Sequence, residues 1–259
     1  MTRITPETLP AELHKAAGTV TRLLAKMDDA SVAEPSELPG WTRGHVLAHI
    51  RGIADAMARQ LEYARRGETI ELYDGGMEGR TKAIELAAGH SLAQHTESVT
   101  AALDSALAAF DALGPDDWQA RIAYRDGTVL DGGLALWREL TIHAADLRLG
   151  FGPETWSRPF CEHLVGFLAA RVPGKYKLVL QPTGLPQLSI GSGGTSIAIT
   201  GMLTDIAAWL AGGEPSLGRC SLYTASGHRD TTANFTCGLV QDKKNPNQNV
   251  AMQHNLNTC

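Results

Sequence analysis

Sulfur is scarce in this chain of 259 residues, whose four cysteines, Cys161, Cys220, Cys237 and Cys259, include no C-x-x-C pair. That spacing signals neither a thiolate-ligated zinc site nor a redox dithiol, so sulfur chemistry here would need a thiol from outside. Aromatic residues make up only 6% of the chain. Long apolar runs are missing too: charges break every stretch well short of the roughly 18 to 20 residues that a bilayer span needs. The opening MTRITPETLP has no apolar run of the kind a secretory signal carries. The expectation is a cytoplasmic protein with no membrane partner. The formal charge is −5, with Lys and Arg scattered rather than striped, which leaves no electrostatic footprint for nucleic acid.

What is present points to helices. Hydrophobic residues are 43% and charged residues 20%, with Ala and Leu prominent, as in a helical globular protein. The length suits one medium and one small domain. In the first 150 residues, apolar residues recur at helical spacing. The first helix is expected to open at Thr5-Pro6-Glu7 and to run to Met27, with Leu13, Ala16, Val20 and Leu24 on one stripe. The second begins near Thr42 and carries Val46, His49, Ile53, Met57 and Leu61 as far as Arg66-Gly67. A shorter segment, Arg80 to Ala88, precedes a third long helix that starts at Ser91 and stops at Leu113-Gly114-Pro115. The fourth is expected to follow Gly132-Gly133, to carry Leu136, Leu140, His143 and Leu147, and to end at Gly150.

The fold class is therefore mainly α: a four-helix bundle over residues 1–152, followed by a small α+β domain over 153–259. In the second part a helix is expected from Pro159 to Arg171 and another through Trp209. Strands are expected at Tyr176 to Leu180, Leu188 to Ile190 and Thr195 to Thr200. Composition changes again near the end, where six Asn fall between 234 and 259. A pair of strands at 221–223 and 233–239 and an end of unrelated, frame-shifted origin both fit that change. No function is placed on 214–259.

Two pairs of potential metal ligands stand four residues apart, His45 with His49 and Glu139 with His143. Spacing of four puts both members on one helix face, close enough to share an ion. His49 and His143 also lie on apolar stripes, where an ionised Glu139 would be costly without a partner. A set of His49, Glu139 and His143 from two helices would give three protein ligands and leave a position open, as in catalytic rather than structural zinc sites. Asp146, three residues after His143, could orient that histidine or a substrate. The spacing equally accommodates two core histidines with Glu139 paired to Arg138 or Arg148. His45 reads as a fourth ligand or as a partly exposed first-turn residue. His90, His95, His163, His228 and His254 have no partner at ligand spacing and read as surface.

The segment Pro35-Ser36-Glu37-Leu38-Pro39-Gly40-Trp41-Thr42-Arg43-Gly44-His45-Val46-Leu47-Ala48-His49 resembles the entry to the second helix in the mycothiol-dependent maleylpyruvate isomerase family, a branch of the DinB-like metal-binding bundles. Arg138-Glu139-Leu140-Thr141-Ile142-His143-Ala144-Ala145-Asp146-Leu147 resembles its second signature. With Arg80 between them, the resemblance covers about residues 5 to 150. It implies a DinB-like bundle holding a divalent metal, usually zinc, on His49, Glu139 and His143, with mycothiol as co-substrate at the open position. It also implies that Arg80 holds a substrate carboxylate, so that Arg80 and Asp146 are the catalytic and cofactor-contacting candidates. A solvated Arg80 paired with Glu78 or Glu85 is the plainer alternative.

The second domain departs from the family. Thr200 to Gly212 looks like the family's last helix, but relatives often continue with Arg where this chain has Gly213; Arg219 and Arg229 are the candidate substitutes. That departure leaves thiol activation intact and opens the choice between cis-trans isomerisation and S-transfer to another small electrophile. A protein with these partners would work as a monomer or a dimer. Two other classes stay open on sequence grounds: a non-catalytic ligand-binding bundle, and a metal-dependent hydrolase with Asp146 or Glu37 as base.

Overall fold

The computed structural model describes residues 4–212 and, as backbone, residues 220–224. It divides into two compact units, one spanning Ile4–Gly152 and the other starting at Pro153.

The first unit is built on four long helices: α1 (Leu9–Leu24), α3 (Arg43–Ala64), α5 (Leu92–Asp111) and α6 (Val129–Asp146). Helices α1 and α3 each pack on both α5 and α6, which closes the bundle. Two shorter helices, α2 (Asp29–Val32) and α4 (Gly76–Ala87), fill the connections, and α4 lies along α3. The expected apolar stripes form the core. Leu13, Val20, Val46, Met57, Leu61, Val99, Leu136, Leu140 and Leu147 are all fully buried or nearly so.

Side-chain caps fix most helix starts. Thr42, Ser91 and Thr128 each accept from the backbone N–H three residues on, and the residue at that position reaches back. Two boundaries differ from the sequence expectation. Helix α1 starts at Leu9, not at Thr5, because Pro10 cannot donate a backbone hydrogen bond and so must sit in the first turn. Thr5 instead accepts from the Thr8 and Leu9 amides in a preceding turn, and the helix stops at Leu24, short of Met27. Helix α6 starts at Val129, ahead of Gly132-Gly133, and ends at Asp146, four residues before Gly150. These glycines are in the helix because their neighbours press on it. A Cβ on Gly132 would lie 2.7 Å from Ile122 Cδ1, and one on Gly133 would lie 2.8 Å from Leu9 Cδ2.

Arg43, the first residue of α3, ties that helix to the end of α6. Its Nε donates to the Leu147 carbonyl at 2.7 Å, its Nη2 to the Arg148 carbonyl at 3.3 Å, and its Nη1 to the Glu34 carboxylate. The carbonyls left open at the end of α6 are thus satisfied by a buried cation, which also suits the negative end of the helix dipole. The start of α3 and the end of α6 are thereby held in register.

In the second unit, α7 (Arg158–Leu168) packs on α8 (Leu203–Leu210). Beside them is a mixed sheet of β1 (Tyr176–Pro182), β2 (Leu188–Ile190), β3 (Thr195–Gly201) and β4 (Cys220–Thr224), ordered β2-β1-β3-β4. β1 runs antiparallel to β2 and parallel to β3, and β3 is antiparallel to β4. The β1/β3 register sets Leu178 opposite Ile197 and Leu180 opposite Ile199, and all four are buried. The expected strand at 233–239 and the residues Gly213, Arg219, Arg229, His228 and His254 lie outside the described residues. Among the described residues no helix is long and apolar enough to cross a membrane.

Candidate metal centre

Helix α3 carries His49 in its second turn, and α6 carries Glu139 and His143 on adjacent turns of one face. Where the two helices meet, Oε2 of Glu139 lies 2.9 Å from His49 Nε2 and 3.1 Å from His143 Nε2. The two imidazole rings stand edge-on, with centroids 4.5 Å apart. All three residues are at most 5% exposed, and their donor atoms fall within 4.8 Å of one another. Glu139 is thus engaged by two histidines, and Arg148 faces Glu37 instead.

The flanking groups fix where the protons sit. Asp146 Oδ2 accepts from His143 Nδ1 at 2.8 Å, in the carboxylate–histidine arrangement that orients many metal-binding imidazoles. Arg80 is buried, and its Nη2 lies 3.0 Å from His49 Nδ1. An arginine only donates, so Nδ1 of His49 accepts and its Nε2 carries the proton given to Glu139. Neither Glu78 nor Glu85 pairs with Arg80; Glu78 pairs with Lys82, and Glu85 faces His45. His45 stands apart from the three. Its Nδ1 contacts the Thr42 hydroxyl in the cap of α3, and its ring stacks on Trp41.

Burial and hydrogen bonding pull the three groups in different directions. Burial alone would push Glu139 up, but hydrogen bonds from His143 and His49 hold its carboxyl far below the ordinary range. Burial would likewise lower His143, yet Asp146 and Glu139 raise it to about 10. His49 is lowered to about 4, by burial first and then by the charge of His143. The metal-free centre therefore holds a protonated His143 and a neutral His49. For His143 the folded value exceeds the ordinary 6.5, so its stabilisation is complete below pH 6.5 and is lost as pH rises through about 10. For His49 the folded value is depressed, so stability is lost as pH falls from 6.5 through about 4. Thermal unfolding in the presence of chelator should give a midpoint that peaks near pH 6.5 and falls on both sides. A midpoint rising steadily to pH 10 would contradict this proton placement.

Around the centre stand residues to which the sequence assigned no site role, Arg138 having been named only as a possible partner of Glu139. Trp41 meets His49 edge-on with ring centroids 6.0 Å apart, the guanidinium of Arg80 lies 5.7 Å from the Tyr73 ring centre, and Tyr124 and Arg138 are buried near Glu139. Burial pushes the Tyr73 hydroxyl up to about 12, so it stays a neutral donor. Tyr73 and Tyr124 sit in connections without periodicity, where no spacing could reveal them; Trp41 lies inside the quoted motif and was legible there. One expectation fails outright. His95 is buried rather than on the surface, because α5 turns it inward against the Ala88 carbonyl.

A helical bundle with two histidines and a glutamate converging in its interior defines a class of candidate divalent-metal proteins. Residues 13–148, just over half of the chain, match the family described as the mycothiol maleylpyruvate isomerase N-terminal domain. The chain belongs to that family. The crystal structure of the mycothiol-dependent maleylpyruvate isomerase has a similar fold, with a TM-score of 0.78, 21% identity, and coverage of 88% of this chain and 97% of that one. A histidine-to-alanine mutant of the same isomerase gives 0.77 and 20% over the same coverage. At this identity the likeness is one of fold. No curated protein matches the sequence.

Proposed function

We propose that the chain is a metal-dependent enzyme in which His49, Glu139 and His143 hold a divalent ion, most naturally zinc, and mycothiol is the co-substrate. The observation that carries this reading is the convergence of both Nε2 atoms on one Glu139 oxygen, in a chain of the mycothiol isomerase family. The donor set fits. Two imidazole nitrogens and one carboxylate oxygen suit zinc, leave a coordination position open, and are already backed by Asp146. When bound, such an ion supplies a positive charge that favours thiolate over thiol near neutral pH.

The chain's own residues do the rest. Asp146 holds the His143 ring in place through Nδ1. Arg80 supplies a buried cation beside the centre, suited to a carboxylate or another anionic group on the electrophile. Trp41 meets the His49 ring edge-on and adds apolar surface beside the centre. The first unit, Ile4–Gly152, contains no cysteine, so the thiol in this proposal comes from solution. Transfer of the thiol to an electrophile and isomerisation by addition and elimination share this first step. The substrate is a small electrophile, and the protein acts as a cytoplasmic monomer or dimer.

Metal analysis of the purified wild type and of His143→Ala, followed by calorimetric titration with mycothiol, tests the proposal. The expected result is near-stoichiometric metal in the wild type, loss of it in the variant, and thiol binding only where metal is present. No metal and no thiol binding would refute it and favour a ligand-binding bundle, whereas turnover without thiol would favour a hydrolase. Asp146→Asn should keep the fold but lower metal affinity by about 10- to 100-fold, the usual effect of removing the partner of a ligating histidine. Competition with a chromogenic chelator measures it.

A further inference from the structure

The second unit holds a cleft whose lining residues all lie outside the metal centre. Its floor is apolar, made of Val165 from α7, Pro182 at the end of β1, Leu188 of β2 and Leu203 at the start of α8. Leu185 and Pro186, in the turn between β1 and β2, line it as well. The volume is about 280 Å³, near the lower end of small-molecule sites, which run from roughly 300 to 1,000 Å³.

Its walls are fixed by the chain itself. The rings of Pro182 and Pro186 hold φ on both sides of the turn. Between them the Leu185 N–H donates to the Pro182 carbonyl at 3.1 Å, and Gly184 takes a φ of +73° that suits glycine. Thr183 ties the turn to the end of β3, its amide donating to the Gly201 carbonyl at 2.8 Å and its hydroxyl to the same oxygen at 3.1 Å. On the helical side, Ser157 caps α7 by accepting from the Phe160 N–H.

One charged pair borders this apolar surface. Arg158 and Glu162 stand one turn apart on α7, and Arg158 Nε donates to Glu162 Oε1 at 2.8 Å. The Glu162 side chain is 5% exposed and that of Arg158 is 57% exposed, so a ligand reaches the arginine and not the carboxylate. An ordinary surface pair leaves both members in water and fixes neither. Here the buried acid orients the arginine. With Nε engaged, the donors that remain are on Nη1 and Nη2, the forked end that matches a carboxylate.

We propose that this cleft is a binding site for a small monocarboxylic acid with an apolar body: Arg158 takes the carboxylate, and the surface of Val165, Leu188 and Leu203 takes the body. Charge complementarity sets the head group, and the size of the cleft limits the body to a short acyl chain or one ring. The site belongs to the second unit and does not depend on the metal reading.

The experiment titrates the full-length protein with octanoate, and with octanol, octylamine and acetate for comparison, by calorimetry and amide NMR shifts. Octanoate should saturate, with shifts confined to α7, residues 183–187 and the start of α8, and with the same affinity whether or not chelator is present. Octanol and octylamine should bind at least about tenfold more weakly, the usual weight of a charge-assisted hydrogen bond, and acetate should not saturate. Arg158→Gln combined with Glu162→Gln strands no buried carboxylate, and should lower octanoate to the level of octanol while leaving octanol unchanged. Arg158→Lys, which keeps the charge and loses the fork, should fall between the double variant and wild type. Octanol or octylamine binding as tightly as octanoate would overturn the carboxylate assignment. Unchanged octanoate affinity in the variants would overturn the role of Arg158, and shifts around His49 and Glu139, or no saturable binding, would overturn the site.

Discussion

Replacing Glu139 and His143 together with Ala is expected to leave the purified protein without divalent metal and to lower thiol-dependent turnover by about three orders of magnitude or more. The size follows from the ion's part in the chemistry: charge stabilisation by a bound metal is worth several kcal/mol, and each 1.36 kcal/mol is a factor of ten in rate. The double variant is a cleaner test than either single one. Glu139→Ala alone would strand a protonated His143 against Asp146, and His143→Ala alone would leave the buried Glu139 facing a neutral His49. Either change leaves a buried group poorly compensated and costs stability for reasons unrelated to metal. Removing both takes the carboxylate and the cation away together and leaves Asp146 as the group that loses its partner, so the fold should suffer less than in either single variant while the site is lost. Metal content by mass spectrometry, circular dichroism and turnover with mycothiol separate these effects. Stoichiometric metal in a folded double variant would show that the ligands lie elsewhere.

The three inward groups were legible because two regular spacings coincide. His49 interrupts an otherwise apolar stripe on α3, and Glu139 with His143 does the same on α6, so a polar residue at a core position pointed to a shared purpose. Helix starts at Thr42 and Ser91 were legible from local chemistry, since a capping hydroxyl acts within three residues. The start of α6 was masked, because Gly132-Gly133 reads as a break although the Thr128 cap sets the start ahead of it; the approach of Ile122, Leu9 and Phe110 explains why those two positions are glycine. Pro10 carried the information that α1 starts near Leu9, but Thr5-Pro6-Glu7 offered a competing signal of the same kind. Arg80 was found through resemblance alone. Its burial and its contact with His49 depend on how α4 lies on α3, and no single helix encodes that.

That placement leads to a large stability effect expected from a single methyl group, at Gly44. In α3, one turn before His49, a Cβ on Gly44 would lie 2.0 Å from the carbonyl oxygen of Ala88 and 3.0 Å from Val32 Cγ1. The obstacle is backbone at the end of α4, not the tip of a flexible side chain, so it yields only if α4 moves away from α3. Gly44→Ala is therefore expected to cost about 3 kcal/mol or more, at the upper end of overpacking effects, even though Ala in a helix is intrinsically favoured over Gly by about 0.5 to 1 kcal/mol. Gly52, two turns further along the same helix, supplies the control. A Cβ there meets nothing within 4 Å, so Gly52→Ala should instead stabilise by about 0.5 to 1 kcal/mol. Urea unfolding of the two variants should give shifts of opposite sign. Because Ala88 caps the helix that carries Arg80, Gly44→Ala should also weaken the contact between Arg80 and His49, whereas Gly52→Ala should leave it intact. Equal stabilisation by both substitutions would mean that α4 does not rest on α3 at Gly44, and the position of Arg80 beside the centre would lose its support.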